Sequence, residues 1–218
     1  LIQGSGGGST TLGGVIVTNG PQGVAITTNG TITVTGQLST NNNPVRFNAS
    51  NWNFGGSTIT AGTGQITISQ VSNGTINIGS QLDTADLAAL VTSNQLYIGG
   101  ASTTGIVNID GSANFAASTP NVTLRATGAG GRLTQTNPAA IVGSPPTLLT
   151  LNADSGIGAL GAPIRLTGAN VATNNVTAGD IVLQFPSGNA NLQGQFANTA
   201  PGGRVEVVAS NGGITTAT

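Results

Sequence analysis

The chain has 218 residues, among them 35 glycines, one Trp, one Tyr and no Cys, His or Met, with five basic and six acidic residues and a net charge of −1. The cations Arg46, Arg125, Arg132, Arg165 and Arg204 are scattered along the sequence, which argues against nucleic acid, because phosphate binding needs clustered Lys and Arg that release counterions. No apolar run approaches the ~20 residues that span a bilayer, and near-zero net charge with β-branched residues in short alternating runs is not the composition of a disordered chain.

Residues 1–10 are Gly/Ser-rich and read as a flexible lead-in. Beyond them a unit recurs: a short alternating run closed by Asn-Gly or Gly-Gly, as in Thr31-Ile32-Thr33-Val34-Thr35, Gln65-Ile66-Thr67-Ile68-Ser69 and Thr75-Ile76-Asn77-Ile78. Alternation places the aliphatic residues on one face and Thr, Asn and Gln on the other. Asn19-Gly20, Asn29-Gly30, Asn73-Gly74 and Asn211-Gly212 are expected to supply the positive φ angles of tight turns. Trp52, between Phe47 and Phe54, is a candidate surface binding patch, a platform for carbohydrate; the competing reading is a local cover over a rung.

Residues 82–91, Leu-Asp-Thr-Ala-Asp-Leu-Ala-Ala-Leu-Val, break the pattern and read as a short helix near 84–91, capped by Asp83 with Asp86 at the third position after it. Leu87, Leu90 and Val91 would form its apolar stripe, and strands around Ile78 and Ile98 would continue on either side. Alternation resumes at Gly105-Ile106-Val107-Asn108-Ile109 and Asn121-Val122-Thr123-Leu124. Residues 137–147, with Pro138, Pro145 and Pro146, read as a loop excursion, because proline cannot donate to a central ladder.

Many short strands with turn residues between them fit either an antiparallel sandwich or a solenoid. Scarce aromatics favour a solenoid with a thin aliphatic interior, and outward Thr and Asn suit hydrogen-bonded ladders between rungs. The expected fold is all-β: one parallel β-helix over residues 1–218. The C-terminal region sets the register. Ala178-Gly179-Asp180-Ile181-Val182-Leu183 superposes on Gly202-Gly203-Arg204-Val205-Glu206-Val207 with a shift of 24, which carries position 180 to 204. That shift stacks Ile181 on Val205 and puts Asp180 beside Arg204 as an inter-rung ion pair. A shift of 26 would oppose Asp180 and Glu206, like charges one strand spacing apart. At the smaller shift per turn the chain makes about nine rungs, a rod on the order of 45 Å long.

The chemistry-bearing residues are few. Glycoside hydrolysis needs two carboxylates about 5–10 Å apart, and the acids are Asp83, Asp86, Asp110, Asp154, Asp180 and Glu206. Helix capping accounts for the first two, and Asp110 and Asp154 stand beside turn glycines or serine. Asp180 and Glu206 would approach only in the disfavoured register. With no His, Cys or Lys, a general base or nucleophile has only these carboxylates to draw on, and no Asp-rich calcium-binding repeat is present. The expectation is a protein that is not an enzyme and takes no metal or cofactor. Asn-x-Ser/Thr triplets begin at Asn29, Asn48, Asn73, Asn121 and Asn175, which a chain rich in Asn and Thr produces by composition.

Three segments carry a family resemblance: residues 83–90 followed by Gln95-Leu96-Tyr97-Ile98-Gly99 and 104–109; residues 153–159 leading into Ala162-Pro163-Ile164-Arg165-Leu166; and residues 179–183 followed by 202–207. They resemble the shaft repeats of filamentous-haemagglutinin-like exoproteins exported by two-partner secretion. The likeness is good over roughly residues 80–218 and one of style only before that. It implies a right-handed parallel β-helix, export through an outer-membrane transporter, a secreted or cell-surface location, and roles in adhesion, biofilm or contact-dependent toxin delivery to a host or neighbouring cell. Neither that family's N-terminal secretion domain nor a toxin-like C-terminus is recognisable. The chain is therefore expected to be shaft, a segment of a longer repetitive protein presenting a distal tip. The alternative is a filament subunit stacking end to end through its solenoid edges. A polysaccharide-processing β-helix enzyme is the third and weakest reading.

Overall fold

The computed structural model describes residues 1–100, 104–128, 130–143 and 147–216. Its main feature is a ten-strand parallel sheet, in order Ile2–Gln3, Val24–Thr27, Val45–Asn48, Ile66–Ser69, Gln95–Ile98, Asn121–Ala126, Leu148–Ala153, Ala169–Asn175, Ala190–Asn198 and Ile214–Thr216. Ten strands that pair in sequence order bound nine circuits of the chain. The fold is a β-solenoid of about nine turns.

Each early circuit has three sides. Val24–Thr27, Thr31–Val34 and Gln37–Ser39 make one, and Val45–Asn48, Asn51–Asn53 and Thr58–Gly62 lie on them strand by strand. A second flank continues as Gly74–Ile78, Thr104–Ile109 and Arg132–Gln135. Near the C-terminus, Ile181–Phe185 pairs with Ile164 through Leu183 and with Ile157 through Ile181, so one strand serves two sides.

Alternation builds the core as anticipated. One column stacks Val24, Val45, Ile66, Leu96, Val122, Leu149 and Val171, and a parallel one stacks Ile26, Phe47, Ile68, Ile98, Leu124 and Leu151, all buried. At the corners, where carbonyls leave the ladder, inward polar side chains meet them. Gln70 Nε2 donates to the Thr75 carbonyl at 2.9 Å and Thr92 Oγ1 to the Gly64 carbonyl at 2.6 Å. Asn175, fully buried, accepts from the Gly156 amide and donates to the carbonyls of Ala178 and Gly179.

The circuit length is not constant. The steps from Val24 to Val45 and from Val45 to Ile66 are equal, whereas the next step, from Ile66 to Leu96, is markedly longer. The long circuit holds the helix, which runs Thr84–Ala89. Leu90 and Val91, expected as part of its apolar stripe, belong instead to the strand Leu90–Thr92, paired with Ile59 and Thr60. In the C-terminal region the register adopted is the one that avoids opposing Asp180 and Glu206: Ile181 pairs with Val205 and Leu183 with Val207.

Three expectations need correction. Residues 1–10 include the strand Ile2–Gln3 and the start of Thr10–Leu12, so the Gly/Ser-rich lead-in is itself the first rung. Within 137–147, residues 137–141 form a turn outside the ladder, but Val142–Gly143 returns to it and pairs with Leu166 and Thr167; residues 144–146 lie outside the described part. The four Asn-Gly pairs do not hold positive φ angles, which fall at Asn41, Asn42 and glycines such as Gly23, Gly62 and Gly99. At Gly30 and Gly212 the requirement is close approach between rungs: a Cβ would lie 2.6 Å from the Ser9 nitrogen in one and 2.1 Å from the Gly188 carbonyl oxygen in the other.

Candidate functional site

The anticipated aromatic patch is not on the surface. Phe47, Trp52 and Phe54 are at most 2% exposed, inside the solenoid, with the Phe47 and Phe54 rings 5.4 Å apart. Alternation accounts for this: Val45–Asn48 and Asn51–Asn53 each turn their ring inward, and Trp52 stacks on Ile32 of the preceding rung. The single Trp is core.

Asp83 and Asp86 form a reciprocal capping box. Asp83 Oδ1 accepts the amides of Ala85 and Asp86 at 2.8 and 2.9 Å, and Asp86 Oδ2 accepts the Asp83 amide at 3.4 Å. Asp86 also reaches out of its helix, its Oδ1 accepting the Phe54 amide at 2.6 Å. Burial raises its pKa above the ordinary aspartate value, the Phe54 hydrogen bond opposes that rise, and the nearby Asp83 charge adds to it. Sequence spacing pointed to the cap but contained nothing about the bond to Phe54.

Arg204 Nη2 lies 3.6 Å from Asp180 Oδ2 and 3.9 Å from Glu206 Oε2. The Arg204 amide also donates to Asp180 Oδ1 at 2.8 Å, tying the two rungs at this column. Asp110 accepts from the Ser80 amide at 3.0 Å and from the Ser80 hydroxyl. Among the described residues no three acidic side chains converge as a metal site would require.

A groove that sequence reasoning missed crosses the flank made by Gly74–Ile78, Thr104–Ile109 and Arg132–Gln135. Three depressions of about 310, 420 and 320 Å³ adjoin there; Thr136 lines the first and third, and Arg132 and Thr134 the second and third. A polar ladder makes the floor. Asn108 Nδ2 donates to Asn77 Oδ1 and Thr136 Oγ1, and Thr134 Oγ1 donates to Asn108 Oδ1, each at 3.0 Å. Residues 158–163 rise as a narrow hairpin between the first two depressions, closed by reciprocal Ala159–Ala162 backbone bonds of 3.0 and 2.9 Å. Its first residue, Gly158, has φ +69° and leaves no room for a side chain, since a Cβ would lie 2.4 Å from the Val182 carbonyl oxygen. The outward Thr and Asn were legible in sequence, but the hairpin wall was not.

Arg165 borders the first depression. Its Nη1 donates to the Pro138 carbonyl, and its Nε is buried with no acceptor among the described residues. Gln135 fixes the strand beneath: its Oε1 accepts the Arg165 amide at 2.8 Å while its Nε2 donates to the carbonyls of Asn137 and Ala140. Neither Arg132 nor Arg165 takes part in an ion pair among the described residues.

The two rims of the solenoid are the other distinctive surface. Ile2, Val15 and Val17 are 65–74% exposed at one, and Val205, Val208 and Ile214 are 41–49% exposed at the other. No helix among the described residues is long and apolar enough to cross a membrane.

Fold and surface together define a parallel β-solenoid with a polar, arginine-bordered flank groove and aliphatic rims. No protein-family profile, no curated protein and no solved structure matches the chain.

Proposed function

We propose that this chain is shaft: a structural, adhesive spacer of a secreted bacterial surface exoprotein, exported through an outer-membrane transporter and holding a distal tip toward a host or neighbouring cell. The observation that supports this reading is the ten-strand ladder with its unbroken inner stack, which makes a stiff element whose length grows with the number of rungs. The rims argue for a second reading, a filament subunit. An unpaired strand edge templates further pairing, and here each rim exposes aliphatic side chains of the kind the interior stacks. Either more rungs of a longer polypeptide or a second copy would cover them.

Electron microscopy of the purified chain across a concentration series separates the readings. Single rods on the order of 45 Å that stay short at every concentration support the shaft. Filaments that lengthen with concentration, with an axial repeat of about 4.8 Å running through the junctions, support the filament subunit and overturn the shaft. Compact globules would sink both.

A further inference from the structure

We infer that the flank groove is a binding site for an acidic oligosaccharide, with Arg165 and Arg132 as its anion contacts. The starting point is a pair of cations without acidic partners. Arg165 borders a depression of about 310 Å³ and takes part in no ion pair among the described residues; its Nε is buried, so the terminal guanidinium nitrogens are the ones left to meet a ligand. Its side chain is held by the Pro138 carbonyl and its backbone by Gln135, so the guanidinium is positioned before any ligand arrives. A planar guanidinium matches a carboxylate or sulfate through paired N–H donors. Arg132 stands further along the same groove, outward and exposed, again with no ion-pair partner among the described residues.

The lining selects the ligand class. Between the two arginines the groove offers hydroxyls and amides, Thr134, Thr136 and Asn108, already oriented by one another's hydrogen bonds. Sugars present hydroxyls for such a surface and an apolar ring face for Leu160, 60% exposed on the hairpin that walls the groove. An extended peptide fits poorly. Peptides that add a strand require an open sheet edge, and Thr104–Ile109 under the groove is paired on both sides. Nucleic acid would want many cations and aromatic stacking platforms, and this groove has two arginines and no aromatic side chain among its lining residues. With a net charge of −1 the molecule as a whole does not attract polyanions, so binding of one would be a local property of the groove. The inference does not rest on the shaft reading, since a single rod of any function would present the same groove.

The test is calorimetric titration of the intact chain with three oligosaccharides of equal length: a uronate, a sulfated glycan and a neutral glucan. One acidic ligand, or both, is expected to bind and the glucan not; which one binds tells carboxylate from sulfate. Arg165→Gln and Arg132→Gln should each weaken the dissociation constant about tenfold, in keeping with one lost charge-assisted pair. Arg46→Gln, exposed on the ten-strand sheet away from the groove, should leave it unchanged. If Arg165→Gln loses its β-sheet circular dichroism, Arg132→Gln, whose side chain is outward and exposed, decides alone. No binding of either acidic ligand at millimolar concentration, equal binding of the glucan, or an equal loss in Arg46→Gln overturns the inference.

Discussion

Asp86 and Phe54, 32 residues apart in sequence, are joined by a 2.6 Å hydrogen bond from the Phe54 amide to Asp86 Oδ1. The bond changes what the helix is. A six-residue helix is too short to hold itself in water, and this one interrupts a ladder. Its capping carboxylate reaches down to the rung below, where the chain turns after Asn51–Asn53 and the Phe54 amide has left the sheet. One side chain thus closes the capping box and covers a rung corner.

Replacing Asp86 should therefore cost more than replacing a cap alone. Asp86→Ala leaves the Phe54 amide without its acceptor, a loss of about 1–3 kcal/mol for a buried group, added to the ~1 kcal/mol of a lost cap. Asp83→Ala should show only the cap. Urea midpoints of the two variants, compared with the parent, check the order; equal losses would remove the special role of Asp86.

The same carboxylate has a pH signature. Burial raises its folded pKa above the ordinary aspartate value, so the folded state keeps its proton to higher pH than the unfolded chain. Where the folded state binds more protons, stability falls as pH rises. The contribution of Asp86 should thus be most favourable below about pH 3.9, decline as pH climbs from there through the raised folded value, and stay flat above. Unfolding free energies of the parent and Asp86→Asn, subtracted at each pH from about 3 to 7, isolate it from the other carboxylates. A difference that moves the opposite way would contradict the burial argument.

Trp52, the only tryptophan, reports on its own position. Emission should be blue-shifted and resist quenching by iodide in the native state, then shift red on unfolding. Trp52→Ala should destabilise by about 3–5 kcal/mol, as for a large buried ring. A surface platform would behave oppositely: quenched when native and nearly neutral when truncated.

The Arg204–Asp180 pair is partly exposed, at 47% and 34% of the side-chain surface. Exposed pairs contribute about 0.2–1 kcal/mol, so Arg204→Ala should sit at the low end and lose its effect in high salt. Asp180→Ala should cost more, because Asp180 Oδ1 also accepts the Arg204 amide. A double-mutant cycle measured by thermal unfolding gives the coupling between the side chains. A coupling beyond about 1 kcal/mol would mean the pair is less solvated than its exposure indicates.

Local pattern determined much of this protein. Period-2 alternation with β-branched residues specified strands that bury one face. The scarcity of aromatics and the outward Thr and Asn favoured stacking over a sandwich, and the opposition of Asp180 to Glu206 was enough to choose the register that Ile181 and Val205 adopt. Spacing alone placed the capping box at Asp83 and Asp86. These are short-range properties, set by backbone geometry and by charges one strand spacing apart.

What lies between rungs was decided only in three dimensions. Alternation turns Trp52 inward, but that it stacks on Ile32 follows from the length of the circuit between them, and that length is not constant along the chain, as the Val24–Val45 and Ile66–Leu96 steps show. The glycines at Gly30 and Gly212 are required by a neighbour in another rung, not by their own φ. The groove needs the 158–163 hairpin to rise beside a flank formed by Arg132, Leu133 and Thr134, a full rung earlier in the chain. No local periodicity encodes such distances, because the cost of closing a circuit grows only slowly with its length, and packing against the next rung selects among the lengths that remain.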